Sequence, residues 1–301
     1  MAELVDALVS GTSGRKAVQV RVLFWAQNIF RPGGGIGRHT SLRGWRSIRA
    51  CRFESCPGHI QIKMSNIKLF NYSYYYKFPD PSKADKEGLV AIGGKLDVEI
   101  LYSAYIQGIF PWYTDETPIL WWSPDPRMVL FPDDFYPGKN LLRKIKKRIF
   151  TVKCDTCFED VIRACAMVKR KDQEGTWITD EMMEAYIKFY NEGFVHSFEI
   201  FFNEKLVGGL YGVSIGKAFF GESMFHYVTD TSKIALYYLV EFAKKMNFIF
   251  IDAQQSTSHL KNLGAKEIPR QEFLALLQKA LEYETIRGKW TYLFDELFNN
   301  Q

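Results

Sequence analysis

Two apolar runs each end on groups capable of acid–base or hydrogen-bonding chemistry. Residues 217–225, KAFFGESMF, carry Glu222, and residues 248–254, FIFIDAQ, carry Asp252 and Gln254. The period of two in a strand predicts Ala218, Phe220, Glu222 and Met224 on one side, with Phe219, Gly221 and Ser223 on the other. It likewise groups Phe250, Asp252 and Gln254. Polar groups at the end of an apolar strand must find partners if they are buried. Glu222 reads either as a working carboxylate or as a structural hydrogen-bonding group, and Asp252 either as functional or as a loop cap. Gly221 inside a strand signals a bulge or the close approach of another molecule.

Other chemistry-bearing residues are less ordered. His196, His226 and His259 lie too far apart for a zinc motif. Cys154 and Cys157 form a CxxC without a second cysteine pair, so thiols of the core or surface are expected and no metal site. Neither GxSxG nor HExxH occurs. Trp112, Trp121, Trp122 and Trp177 sit in proline- or glycine-bearing segments and serve either core packing or base stacking. The run Arg143, Lys144, Ile145, Lys146, Lys147 and Arg148 is a solvated face or, with Arg163 and Lys169–Lys171, a set of phosphate contacts.

The elements that must position these groups belong to a chain of 301 residues, 47% hydrophobic and 24% charged, which excludes a disordered or collagenous protein. No apolar run reaches the roughly 18 residues of a membrane span. Five cysteines form no dense even framework, pointing to a reducing compartment. The net charge of +5 is uneven: residues 1–63 hold 10 Lys and Arg against 3 Asp and Glu, and the remainder 29 against 31. Any nucleic-acid contact by the body therefore needs a local basic patch.

Residues 1–63 lack periodicity, and the cluster Gly33–Gly37 lacks the Lys-Ser/Thr of a phosphate loop. Arg52-Phe53-Glu54-Ser55 can be encoded by AGG-TTC-GAG-TCC, which contains GGTTCGA, the T-arm sequence of a tRNA gene. Ala17–Arg21 can be encoded with the related GGTTCAA in another frame. The segment reads as translation through adjacent tRNA genes, with a start at Met64; the alternative is a basic disordered tail that binds RNA.

From Phe78 onward the pattern predicts a helix capped by Asp97, short strands over 118–135, and helices near 140–148, 157–169 and 179–192. It then predicts a strand pair around the turn Asn203-Glu204, a third strand, a helix capped by Asp230, the 248–254 strand and a helix over 271–283. This order is mixed α/β (α+β) and resembles an N-acetyltransferase core. The division read from it is a leader (1–63), a small N-terminal α/β domain (64–128) and a catalytic domain (129–301).

GLVAIGGKL, GIFPW, WWSPDPR, GTWIT, LVGGLYGV, FFGESMF, IDAQ and LGAKEIPR occur in the order seen in leucyl/phenylalanyl-tRNA–protein transferases, so the chain resembles that family over about 78–273. Lys95 departs from the usual acidic or polar residue, and Ala253 stands where a cysteine is common. The resemblance implies a cytosolic bacterial enzyme, monomeric and without cofactor or metal, with an acetyltransferase-like C-terminal domain. It would transfer Leu or Phe, and Met less well, from aminoacyl-tRNA to the N-terminal amine of proteins beginning with Arg or Lys, marking them for degradation. The implied catalytic residues are Glu222, Asp252 and Gln254. The implied aminoacyl pocket and adenosine platform use Trp112, Trp177, Leu210, Phe219, Gly221 and Ser223, with the 143–148 run for tRNA phosphates.

Gln254 is a poor base, because a neutral amide is hardly protonated near pH 7. Its carbonyl oxygen is better suited to orienting the incoming amine, with Asp252 orienting Gln254. A coenzyme A-dependent acetyltransferase is the nearest alternative, but it wants a glycine-bearing pyrophosphate turn where this chain has HYVTDTSKIAL (226–236). A tRNA-using cell-wall aminoacyltransferase would be longer, and a non-catalytic tRNA-binding module would bind without transfer. The sequence leaves Arg127 unassigned. Mass spectrometry of the native protein should find no peptides from residues 1–60; their detection would rule out a start at Met64.

Overall fold

The computed structural model describes residues 76–168 and 177–299. The leader, its glycine cluster and Lys169–Lys171 lie outside these described residues. Strand β1 (Leu89–Ile92) precedes helix α1 (Val98–Tyr105), whose N-cap Asp97 accepts the Ile100 N–H at 2.9 Å. Leu101, Ala104 and Tyr105 are buried on its inner side. Strands β2 (Phe110–Pro111) and β3 (Leu120–Trp122) complete a three-stranded antiparallel sheet of order β1-β3-β2.

Strand β4 (Arg127–Leu130) belongs to a second, seven-stranded sheet, so the 128/129 boundary falls inside it. Helix α2 (Gly138–Lys146) and strand β5 (Thr151–Cys154) follow. Next come α3 (Phe158–Met167) and α4 (Asp180–Asn191), the latter capped by the Thr179 hydroxyl on the Met182 N–H at 3.2 Å. Strands β6 (Val195–Phe202), β7 (Lys205–Ile215) and β8 (Ala218–His226) form an antiparallel meander. Its first turn is Asn203-Glu204, both at positive φ, as a two-residue hairpin that matches the strand twist requires.

Helix α5 (Thr231–Lys245) then crosses back, and β9 (Phe250–Gln254) lies parallel to β8. Helix α6 (Ser258–Asn262), strand β10 (Lys266–Ile268), α7 (Arg270–Leu281) and α8 (Thr291–Phe298) end the described chain. The large sheet has the order β10-β4-β9-β8-β7-β6-β5, and β8–β9 is its one parallel pair among the described residues. The fold is mixed α/β as expected, and the meander, crossover helix, strand and helix come in the order read from the sequence; β1, β5, α6, β10 and α8 are elements beyond that reading.

Asp230 departs from its expected role. Its backbone is left-handed (φ 73°) and its side chain makes no cap bond. That conformation carries the carboxylate away from the helix amides to Lys144 and to Lys233, the latter at 3.0 Å.

Both strands of the parallel pair are bulged where they diverge. Their register runs Ala218↔Phe250, Phe219↔Ile251 and Phe220↔Asp252, then stops. On the β7 side Gly212 pairs with Gly221 and Tyr211 with Ser223, leaving Glu222 as the extra residue. On the β4 side Val129 pairs with Asp252 and Met128 with Gln254, leaving Ala253 extra. The bulge resets the alternation. Ser223 lies opposite Tyr211, whose ring meets Tyr186, and Glu222 bonds to that same Tyr186. Glu222 and Ser223 therefore share one face, against the strict alternation expected, and Met224 turns to the other.

Gly212 makes this bulge possible. A Cβ there would lie 2.2 Å from the Phe220 carbonyl oxygen and 2.5 Å from the Phe219 ring. Gly212→Ala is expected to destabilise the fold by about 1–3 kcal/mol, the usual cost of overpacking, measured by urea unfolding. It should lower turnover as well, because the displaced strand carries Glu222. Unchanged stability would show that the close approach is not needed.

Candidate active site

The bulge presents Glu222 to a set of buried polar groups that face it across the opening seam. Glu222, Asp252 and Gln254 are each fully buried. The Gln254 side-chain Nε2 donates to Glu222 Oε1 at 2.8 Å, and the Tyr186 hydroxyl of α4 donates to Oε2 at 3.0 Å. Tyr105 of α1 bonds to the Tyr186 hydroxyl and also hydrogen-bonds Glu222. Asp252 is held by Arg127 of β4, with Nε to Oδ1 at 2.9 Å and Nη2 to Oδ2 at 2.7 Å. Asp252 Oδ1 also accepts the Gln254 backbone N–H at 2.8 Å. One connected chain thus runs Arg127–Asp252–Gln254–Glu222–Tyr186–Tyr105, joining the two polar strand ends that the sequence singled out.

The electrostatics follow from burial and from where the Arg127 guanidinium is bonded. Asp252 has the guanidinium. Glu222 accepts from tyrosine hydroxyls and the Gln254 amide, and burial pushes its carboxyl up to about 7 despite the tyrosine hydrogen bonds, with Asp252 adding a smaller upward push. Both tyrosines are raised well above the usual phenol range, first by burial and then by the Glu222 charge, so they remain protonated donors. Three buried polar atoms here have no hydrogen-bond partner among the described residues: Gln254 Oε1, Arg127 Nη1 and Ser223 Oγ. A buried polar atom left bare costs about 1–3 kcal/mol. The arrangement therefore offers an unused carbonyl acceptor next to a carboxyl able to gain or lose a proton near neutral pH.

The other expected site residues are distributed around this chain. Leu210 and Phe219 are buried on the opposite side of the sheet: Leu210 alternates with Tyr211, and the Phe219 ring faces Trp290, which stacks on Phe242 of α5. Gly221 stands where the seam opens, 3.5 Å from the Asp252 carbonyl oxygen by its notional Cβ. Trp112 is half-buried and Trp177 buried. The Tyr113 hydroxyl meets Thr179 and Glu181, bringing the Trp112 segment against the start of α4. Trp121 and Trp122 take the packing alternative: both are buried, and their indoles bond to the Gly93 and Trp112 carbonyls.

On α2 and just after it, Arg143, Lys146, Lys147 and Arg148 are exposed, whereas Lys144 is tied to Asp230. The CxxC thiols are pushed up by burial, Cys157 to about 12 and Cys154 well above its usual value, so neither is a thiolate. Among the described residues no group of three metal-ligating side chains converges. His196 is buried against Asp155 and stacked on Trp290. The acetyltransferase alternative loses further ground at α5, where the Asp230 carboxylate lies at the helix start that would receive a pyrophosphate.

Tyr105, Tyr186 and Arg127 were not assigned to the site from sequence. Tyr105 lies on the buried, apolar side of α1, where nothing local marks it as a hydrogen-bond donor. Arg127 alternates within a buried strand, a position that demands a paired carboxylate, and that demand was the available signal.

Burial raises the folded-state pKa of Glu222 above its ordinary 4.5. The native state then binds more protons than the unfolded chain between about pH 4.5 and 7, so stability falls as pH rises through that window. Glu222→Gln, a permanently neutral isostere, is expected to raise the melting temperature at pH 8 and to lose the gain toward pH 5. A pH-independent difference would remove Glu222 as the titrating group.

Comparison with known proteins gives a consistent result. Residues 129–278 match the family described as leucyl/phenylalanyl-tRNA protein transferase, and residues 94–125 match its N-terminal domain. A leucyl/phenylalanyl-tRNA–protein transferase from Maridesulfovibrio salexigens is 50% identical over 220 residues, covering 73% of this chain and 92% of that protein. One from Legionella pneumophila strain Corby is 50% identical over 220 residues, covering 73% and 98%. Among solved structures, an aminoglycoside acetyltransferase from an uncultured soil metagenomic sample aligns with a TM-score of 0.30 at 16% identity, covering 38% of this chain and 85% of that one. That likeness is too faint to bear on function.

Proposed function

We propose that this chain, which belongs to the leucyl/phenylalanyl-tRNA protein transferase family and is an aminoacyltransferase, moves Leu or Phe from aminoacyl-tRNA to the N-terminal amine of proteins beginning with Arg or Lys. It works in the cytoplasm as a monomer without cofactor, and the modified proteins are thereby marked for degradation. The observation that carries the mechanism is the bare Oε1 of Gln254 beside Glu222.

The acceptor amine attacks the ester carbonyl carbon, the N–C bond forms, and the C–O bond to the terminal ribose breaks. The amine must be neutral to attack, and its reference pKa of about 7.7–8.0 leaves a minority neutral at pH 7. Gln254 Oε1 accepts a hydrogen bond from the attacking N–H and aims the lone pair. Glu222 holds the amine or the ribose hydroxyl. The proton released by nitrogen reaches the leaving ribose oxygen, with the vicinal hydroxyl as its route. No bond to the enzyme forms.

Trp112 and Trp177 are assigned to the terminal adenine, and Gly221 and Ser223 to the aminoacyl side chain; Leu210 and Phe219, expected in that pocket, pack on the other face of the sheet toward Trp290 and α5 and are left out of it. An apolar pocket separates ligands one methylene apart by only about 1–3 kcal/mol, so Met is a poorer donor but not an excluded one. Arg143, Lys146, Lys147 and Arg148 contact tRNA phosphates, with Lys144 shared with Asp230.

The test is transfer of labelled Leu from Leu-tRNA to a peptide beginning with Arg. Transfer is expected, with an Ala-starting peptide inert, and Gln254→Ala should lower kcat about 100-fold without unfolding the protein. Binding of tRNA with no transfer would instead identify a non-catalytic tRNA-binding module, and a wild-type rate for Gln254→Ala would remove Gln254 from the mechanism. Replacing Lys146 and Lys147 by Ala should weaken tRNA binding and flatten its dependence on salt, read from a titration at several ionic strengths.

A further inference from the structure

We infer that Arg127 is a positioning residue for the Gln254 amide, acting through Asp252; this rests on the reading that Gln254 Oε1 meets the acceptor amine. Gln254 adopts a left-handed backbone, φ 61°, which a residue with a Cβ holds only when its surroundings impose it. Two contacts impose it here. Its N–H is fixed by Asp252 Oδ1 at 2.8 Å, and its side-chain Nε2 by Glu222 Oε1 at 2.8 Å. Where Oε1 points therefore depends on where the Asp252 carboxylate stands.

Arg127 sets that carboxylate. Its fork to both oxygens fixes the plane of the group as well as its distance, which a single ammonium cannot do. The guanidinium is itself held face-on between two rings, 4.8 Å from the centroid of Phe110 in the small sheet and 4.3 Å from that of Phe273 in α7. Arg127 is 1% exposed, which sets it apart from the exposed arginines and lysines assigned to tRNA. The line of constraint therefore runs from ring clamp to guanidinium, carboxylate, backbone N–H and finally the amide oxygen.

A positioning residue and a merely structural one differ in a double-mutant cycle with Gln254. Arg127→Lys is expected to lower kcat about 10- to 100-fold while KM for Leu-tRNA stays within about threefold. In the Gln254→Ala background the same change should cost less than about threefold, because the amide it positions is gone. Phe273→Leu loosens the clamp while leaving Arg127 and Asp252 in place, and it supplies a second cycle if Arg127→Lys fails to fold. Its loss of kcat should also vanish in the Gln254→Ala background. Equal losses in both backgrounds, or a wild-type kcat for a folded Arg127→Lys protein, would overturn the inference and leave the Gln254 assignment standing. A wild-type rate for Gln254→Ala alone would take down both.

Discussion

Among the described residues two carboxylates and one guanidinium share a buried site, and the placement of that guanidinium shapes the chemistry around it. Arg127 gives both of its paired donors to Asp252. Glu222, linked to Asp252 through Gln254, receives no cation from the Arg127 fork. Two buried carboxylates repel each other when both are ionised, and it is the one outside the Arg127 fork, Glu222, that burial pushes up. Asp252 becomes a fixed anchor, and Glu222 becomes the group whose protonation state is open near neutral pH. Had Arg127 bonded to Glu222, the roles would be exchanged and the anchor of Gln254 lost.

The sheet supplies the geometry this balance needs. Antiparallel ladders keep neighbouring strands in register along their length, so they offer little room for convergent side chains. A parallel pair reached by a crossover helix breaks that continuity at β8–β9. Bulges on both outer flanks, at Glu222 and at Ala253, turn the two strand ends so that side chains bridge the gap that backbone bonds leave. The helices close the site: α1 and α4 bring the tyrosines, and α7 brings the ring that supports Arg127. Short elements distant in sequence are thus tied together by polar groups that none could satisfy alone.

Much of this was legible in the residues. Hydrophobic alternation and turn chemistry located the meander, the Asn203-Glu204 turn and the Asp97 and Thr179 helix starts. Gly221 announced the bulge. The polar strand ends identified Glu222, Asp252 and Gln254 as groups in need of partners. What stayed hidden depends on contacts between distant segments. Tyr105 and Tyr186 fit helix stripes so well that nothing local separates a packing tyrosine from one donating to a carboxylate. The strict period of two failed at Ser223 and Met224 because register belongs to a strand pair, not to one strand. Asp230 carried every local mark of a cap, but Lys144 of α2 and Lys233 of its own helix's first turn hold its carboxylate instead.

An amide at position 254 is the choice that the charge balance allows. A carboxylate there would add a third negative charge, pushing Glu222 upward and favouring the ammonium form of an approaching amine. The ammonium has no lone pair and cannot attack an ester. A basic side chain at 254 would repel the amine and compete with Arg127 for Asp252. The neutral carbonyl oxygen of Gln254 accepts an N–H without rewarding extra positive charge, so it can orient the amine while leaving it free to become nucleophilic. The same neutrality requires the amide to be aimed by its neighbours, since it has no charge of its own to draw the substrate in. That is the physical reason for a residue in a left-handed conformation to be held from both ends, by Asp252 at its backbone and by Glu222 at its side chain.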